Sequence, residues 1–184
     1  MDGPDQRRAR LTAWSLSWLS YATYYVGRKG FGVVKLPLSR ELGLDVAALG
    51  LIDTAFLAAY TAGQFLSGYA GDRFGARRLV GYGMLGSALA CALFGLSSGL
   101  LALVVCFVLN GFAQSTGWPG NTRVMAEWTT VAQRGTVMGI WSTCYQVGGV
   151  AATFLAGEVA ERYGWRASFQ VAAVVLFGVG LVVL

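Results

Sequence analysis

Residues 167–184, ASFQVAAVVLFGVGLVVL, carry no charged side chain, and neither do residues 79–97, LVGYGMLGSALACALFGLS. A helix rises about 1.5 Å per residue, so about 20 apolar residues cross the ~30 Å hydrocarbon core of a bilayer. Six such stretches can be drawn, roughly 12–37, 47–71, 79–97, 101–127, 135–158 and 167–184. Between them lie Pro37 to Asp45, the charged segment Asp72 to Arg78, Ser97-Ser98-Gly99, the polar Thr129 to Arg134, and Glu158 to Arg166. Asp45 is placed to cap the second helix. Only 12% of the residues are charged, against about a quarter in a soluble domain. The expected fold is an all-α membrane protein, with residues 1–11 as a cytoplasmic tail and 12–184 as a six-helix transmembrane bundle.

Three arginines, Arg7, Arg8 and Arg10, precede the first apolar run. Its length, its Trp and Tyr content and the lack of a small-residue cleavage site argue against a secretory leader. The three cysteines, Cys91, Cys106 and Cys144, all fall in apolar runs, and their spacing fits neither zinc nor a disulfide framework. They read as small buried hydrophobes. The chain has no His, which excludes a His-based metal site or catalytic triad. No metal, cofactor or enzymatic role is expected, and no ATP-binding motif marks a primary pump. The net charge of +5 is a matter of topology rather than of nucleic-acid binding. With the amino terminus inside, eight cations face the cytoplasm (Arg7, Arg8, Arg10, Arg73, Arg77, Arg78, Arg123 and Arg134) and four face out (Lys35, Arg40, Arg162 and Arg166). That bias predicts a multi-pass protein of the cell (inner or plasma) membrane with a cytoplasmic amino terminus.

A shift of 89 residues lays Asp72-Arg73-Phe74-Gly75-Ala76-Arg77 on Glu161-Arg162-Tyr163-Gly164-Trp165-Arg166. An odd number of spans separates the copies, so they face opposite sides of the membrane. This predicts an inverted repeat of three plus three helices. The first copy lies in GYAGDRFGARR, residues 68–78. Its pattern of Gly68, Asp72, Arg73, Gly75, Arg77 and Arg78 resembles the signature loop of the major facilitator superfamily. Gly68 is expected to let a neighbouring helix approach, and Gly75 to supply a turn that a side chain would obstruct. Asp72, at the membrane edge, is expected to pair with Arg73 or with Arg123 at the end of helix four. In that superfamily such a network latches one conformation.

Arg28 and Lys29 lie some sixteen residues inside the first span. A cation near the bilayer centre costs roughly 2.5–3.5 kcal/mol on insertion scales, and Arg28 is too deep to snorkel easily. It is expected to face a water-filled cavity and bind an anion, because a guanidinium fork matches phosphate oxygens. Lys29 points about 100° around the helix from it. Tyr21, Tyr25 and Arg28 share one face by i, i+4, i+7 spacing.

YYVGRKGF, YTAGQFLSGYAGDRFGARR and GWPGNTRVMAEWTTVAQRGTVMGIWSTCYQVGG resemble the organophosphate:phosphate antiporters of the same superfamily. The resemblance runs from about residue 12 to the end. It implies that Arg28 is the substrate-binding arginine, with Lys29, Tyr21, Tyr25, Gln64, Trp118, Tyr145 and Gln146 around the same cavity. Gln64 stands where glycerol-3-phosphate members carry Lys, and Tyr145 where they carry His. The loss of these cationic groups implies a sugar-phosphate or sensor-like branch. Pro119 is expected to kink helix four, and Gly135, Gly139, Gly148 and Gly149 to serve close helix crossings. The implied function is the amino-terminal half of a secondary transporter in the lipid bilayer. It exchanges an organic phosphate for inorganic phosphate by alternating access and needs a second six-helix half or another copy. A sugar-phosphate sensor and a truncated, non-transporting remnant are the alternatives.

Overall fold

A computed structural model describes residues 3–184. Among these residues the chain forms nine helices and no strand. They are α1 (Pro4–Tyr24), α2 (Val26–Leu42), α3 (Val46–Phe74), α4 (Ala76–Leu96), α5 (Leu100–Gln114), α6 (Gly117–Glu127), α7 (Arg134–Trp141), α8 (Thr143–Tyr163) and α9 (Trp165–Val183). Four spans are apolar and long enough to cross a membrane by themselves: Val46–Phe74, Ala76–Leu96, Leu100–Glu127 and Trp165–Val183. The first and fifth crossings are the interrupted pairs α1–α2 and α7–α8, whose polar and cationic residues dilute their apolar runs.

Helix ends follow backbone chemistry more than charge. Pro4 opens α1, where its missing N–H costs nothing. Residues 4–11 are therefore helical. The chain does not break at Pro37. α2 runs through it and stops at Gly43, whose φ of 63° suits a residue without Cβ. Asp45 caps α3 by accepting from the Ala48 amide at 2.8 Å. Single glycines, Gly75 (φ 81°) and Gly164 (φ 85°), make the two charged turns of the repeat, as a position of positive φ requires.

The inverted repeat is visible in the hydrogen bonds. α4 and α9 lie antiparallel, and each begins with an arginine that caps the other's end. Arg77 donates to the Val183 carbonyl at 3.0 Å and also to that of Leu184. Arg166 donates to the carbonyls of Gly95 at 3.1 Å and Ser97 at 2.7 Å. The late carbonyls of a helix lack partners within it and carry its negative dipole, so a guanidinium there satisfies both needs. Gly180 sits in the seam, with Met84 and the Gly81 carbonyl close beside it. At the end of the bundle away from the amino terminus, Phe31, Phe94, Phe107, Phe169 and Trp165 pack together in tilted and edge-to-face contacts, with the Phe94 and Phe169 centroids 4.2 Å apart.

The glycines divide. Gly148 is where α8 meets α1: a Cβ there would lie 2.6 Å from the Ala22 carbonyl oxygen and 2.8 Å from its Cα. Gly135 and Gly139 meet nothing within 4 Å, so they serve no crossing among the described residues. Gly148→Ala must push α8 off α1, at about 1–3 kcal/mol. It is expected to lower the melting temperature of the purified protein while Gly139→Ala leaves it unchanged; equal melting of the two variants would refute this packing.

Candidate substrate site

Three of the six crossings are interrupted at similar depth. α1 gives way to α2 at Tyr25, α5 to α6 at Ser115–Thr116, and α7 to α8 at Ser142. At the first, the Tyr25 amide donates to the Ala22 carbonyl and the Arg28 amide to the Tyr25 carbonyl, both three residues back. The second falls just before Pro119, which has no N–H for the Ser115 carbonyl. Kinks in membrane helices concentrate where polar groups and prolines re-satisfy the backbone.

Around these breaks the rings converge. Tyr21 and Tyr25 come from the first crossing, Trp118 from α6, and Trp141 and Tyr145 from the fifth crossing at i, i+4 spacing. Tyr21 is central, with centroid distances of 5.2 Å to Tyr145, 5.4 Å to Trp141, 5.9 Å to Trp118 and 6.1 Å to Tyr25. Tyr145 closes the ring, 5.7 Å from Trp141, 5.9 Å from Trp118 and 6.4 Å from Tyr25. Such aromatic pairs prefer edge-to-face contact, which holds the side chains rigidly. Polar bonds fix the cage to α1: Trp141 Nε1 donates to Ser17 Oγ at 3.0 Å, Trp18 Nε1 to Thr143 Oγ1 at 3.0 Å, and Ser20 Oγ to Asn121 Oδ1 at 2.9 Å.

Arg28 sits at the edge of this cage. Its guanidinium carbon lies 4.1 Å from the Tyr25 ring centroid and 5.8 Å from that of Tyr60 on α3. Tyr21 interacts electrostatically with both Arg28 and Tyr60. Arg28 has no carboxylate partner among the described residues, and its Nε is buried without a hydrogen bond. A desolvated cation–π contact contributes about 2 kcal/mol, against a cost of roughly 2.5–3.5 kcal/mol for the charge at mid-membrane. The rings therefore offset most of the cost, yet they accept no N–H bond in its plane. The guanidinium fork stays available to an oxyanion.

The structure thus gathers Arg28, Tyr21, Tyr25, Trp118 and Tyr145. No hydrogen bond, ion pair or ring contact joins Lys29, Gln64 or Gln146 to them. Lys29 and Gln146 are exposed; Gln64 is half-buried, one turn beyond Tyr60. Tyr60 and Trp141 belong to the site but escaped the sequence reading. The i, i+4 spacings of Tyr60 with Gln64 and of Trp141 with Tyr145 were the available signal.

The signature loop forms a separate centre at the end of the bundle that holds the amino terminus. Asp72 accepts from Arg123 Nη1 at 2.5 Å, and Arg123 also holds Glu127 at 3.0 Å. Arg73 does not pair with Asp72; its guanidinium lies over Phe74 at 5.6 Å. Gly68 makes no close crossing among the described residues: a Cβ added to it meets nothing within 4 Å. Both Asp72 and Arg123 reach solvent, which screens their pairing and keeps it weak. A cavity of about 950 Å³ opens beside them, with Arg77, Arg78, Arg123, Ser20 and Asn121 in its walls, but it does not reach Arg28.

A family model described as Major Facilitator Superfamily matches residues 17–184. A probable hexose phosphate transport protein of Chlamydia pneumoniae is 32% identical over 91% of this chain and 37% of its own length. The membrane sensor protein UhpC of Salmonella typhimurium is 34% identical over 90% and 37%. Sugar phosphate exchanger 3 of Mus musculus is 34% identical over 97% and 44%. The chain spans about two fifths of the length of these relatives.

The Tyr145 hydroxyl is buried and has no hydrogen-bond partner, a state that costs about 1–3 kcal/mol. Tyr145→Phe is accordingly expected to raise the melting temperature of the ligand-free protein. A fall of several degrees would mean that the hydroxyl is bonded after all.

Proposed function

The chain belongs to the major facilitator superfamily, and on that footing we propose that it forms one six-helix half of a transporter exchanging a sugar phosphate or related phosphate ester for inorganic phosphate. The observation that carries this reading is Arg28: a guanidinium at mid-membrane, backed by aromatic faces, without an acidic partner among the described residues. An oxyanion supplies what it lacks. Two parallel N–H···O bonds to a phosphate match its fork, and the aromatic cage beside it offers flat apolar surface for the carbon skeleton of an ester. Lys29, Gln64 and Gln146, on neighbouring surfaces, would complete the site together with groups from a second six-helix body.

Exchange follows from the same electrostatics. Closing the site while empty would bury an unpaired cation, which is costly. Closing it around a phosphate group buries a paired one. Inorganic phosphate and a phosphate ester present the same group, so either ligand permits the change of face and an empty site resists it. The Asp72–Arg123 pair, weak and exposed, suits a contact that must form and break in each cycle. The amino terminus is assigned to the cytoplasm by its excess of cations. The similarity to a membrane sensor favours a second reading, in which the same site binds a sugar phosphate without moving it across the membrane.

The test uses the full encoded chain in vesicles loaded with phosphate. Arg28→Gln should abolish counterflow of glucose 6-phosphate. Arg28→Lys, which keeps charge but loses the fork, should lower it about tenfold or more, as loss of a charged hydrogen bond implies. Near-normal uptake by Arg28→Gln would overturn the assignment. Binding of glucose 6-phosphate without counterflow, in the unmutated protein assembled with its second six-helix half, would select the sensor reading.

A further inference from the structure

Tyr24 occupies the last turn before the break in the first crossing, where its ring meets Tyr21 of the aromatic cage edge-on, with centroids 6.5 Å apart. It is wholly buried. Its hydroxyl lies 3.0 Å from the Val80 carbonyl of α4 and 2.9 Å from Thr116 Oγ1, at the break between α5 and α6. Room for it is made by two glycines. A Cβ at Gly83 would lie 2.7 Å from the hydroxyl and 1.9 Å from Thr116 Oγ1, and a Cβ at Gly117 would lie 2.8 Å from the Tyr24 ring. A fully buried phenol with a satisfied hydroxyl, at the junction of three elements, is a fixed point.

The consequence for the site is geometric. Neighbouring residues on a helix point about 100° apart, so anchoring Tyr24 sets where Tyr25 points. Tyr25 carries the Arg28 guanidinium on its ring face. On the far side of the break, the Gly27 carbonyl accepts from Asn110 Nδ2 at 2.8 Å, which pins the residue just before Arg28. The break is thus held from behind on both sides, while its front presents Tyr25 and Arg28. A loosened break would let the helix roll and turn the guanidinium away from the cage.

We propose that Tyr24 is a positioning residue for the anion site: through Val80 and Thr116 it fixes the rotation of the first membrane helix at its break and so aims Tyr25 and Arg28. This rests on the reading of Arg28 as the phosphate-binding group. Because Thr116 belongs to the break in the fourth crossing, the same contact couples the two interrupted helices that line the site.

Equilibrium binding of inorganic phosphate and of glucose 6-phosphate to the purified full chain tests it, with melting temperature measured in parallel. Tyr24→Phe keeps the ring and deletes the hydroxyl. It should weaken both ligands by roughly threefold to tenfold, the worth of an ordinary hydrogen bond. Thr116→Val should weaken them by no more than that, since Val80 remains as an acceptor. Thr116→Ser, which restores the hydroxyl, should bind as the unmutated protein does. Thr116 Oγ1 also donates to the Ala113 carbonyl at 2.8 Å, so the test is the coupling: Tyr24→Phe should cost less affinity in the Thr116→Val background than in the unmutated protein. A lower melting temperature with unchanged affinity would overturn the proposal and leave Tyr24 a packing residue. Additive losses in the double variant would overturn it as well. If Arg28→Gln binds phosphate as tightly as the unmutated protein, the reading of Arg28 fails and this inference falls with it. If only Arg28→Gln loses binding, the reading stands and Tyr24 is not its positioner.

Discussion

A guanidinium at the middle of a membrane has to be held without being neutralised. An internal carboxylate would lower the cost of burying it and, on the proposed reading, would also compete with the anion. The fold instead sets Arg28 against the faces of Tyr25 and Tyr60, which stabilise a cation while accepting no bond in the plane of its fork. The rest of the site follows from this choice. Tyr25 is itself braced by Tyr21 and Tyr145, and Trp118 and Trp141 pack on those two in turn. Those rings come from three crossings, and each crossing is interrupted near the cage.

What the sequence disclosed depended on how rare each signal is. Arg28 was legible because a cation deep in an apolar run has few structural excuses. The crossings were legible as apolar length, and the charged turns as a repeat that Gly75 and Gly164 fulfil with matching backbone. Pro37 misled, because a proline stops a helix only when no context carries the helix past it, and here the stop falls to Gly43. Glycines misled in both directions. Their spacing marks a smooth face without saying what lies opposite. Gly148 meets the backbone of α1, whereas a Cβ at Gly68, Gly135 or Gly139 meets nothing within 4 Å among the described residues. Tyr60 and Trp141 were hidden because an aromatic residue in a membrane helix is ordinary, and only the packing of several helices sets Tyr60 facing Arg28 and Trp141 against Tyr21.

The two sides of the bundle are built for different purposes. On one side α4 and α9 are clasped at both ends by Arg77 and Arg166, related by the repeat, each satisfying carbonyls that the other helix leaves open. These helices are unbroken and closely apposed through Gly81 and Gly180. On the other side the crossings that carry the cage are each interrupted, and they meet through the packed rings, the close approach at Gly148 and single side-chain hydrogen bonds such as Ser20 to Asn121 and Trp141 to Ser17. A helix pair with satisfied ends resists shear. Interrupted helices concentrate their freedom at the interruption. On the proposed reading, the breaks at Tyr25 and Thr116 are tied together through Tyr24, so that an anion on Arg28 would act on both at once. The inverted repeat contributes to this arrangement directly: one pair of equivalent helices, α4 and α9, makes the stiff wall, and another, the first and fourth crossings, supplies the two breaks that Tyr24 and Thr116 join.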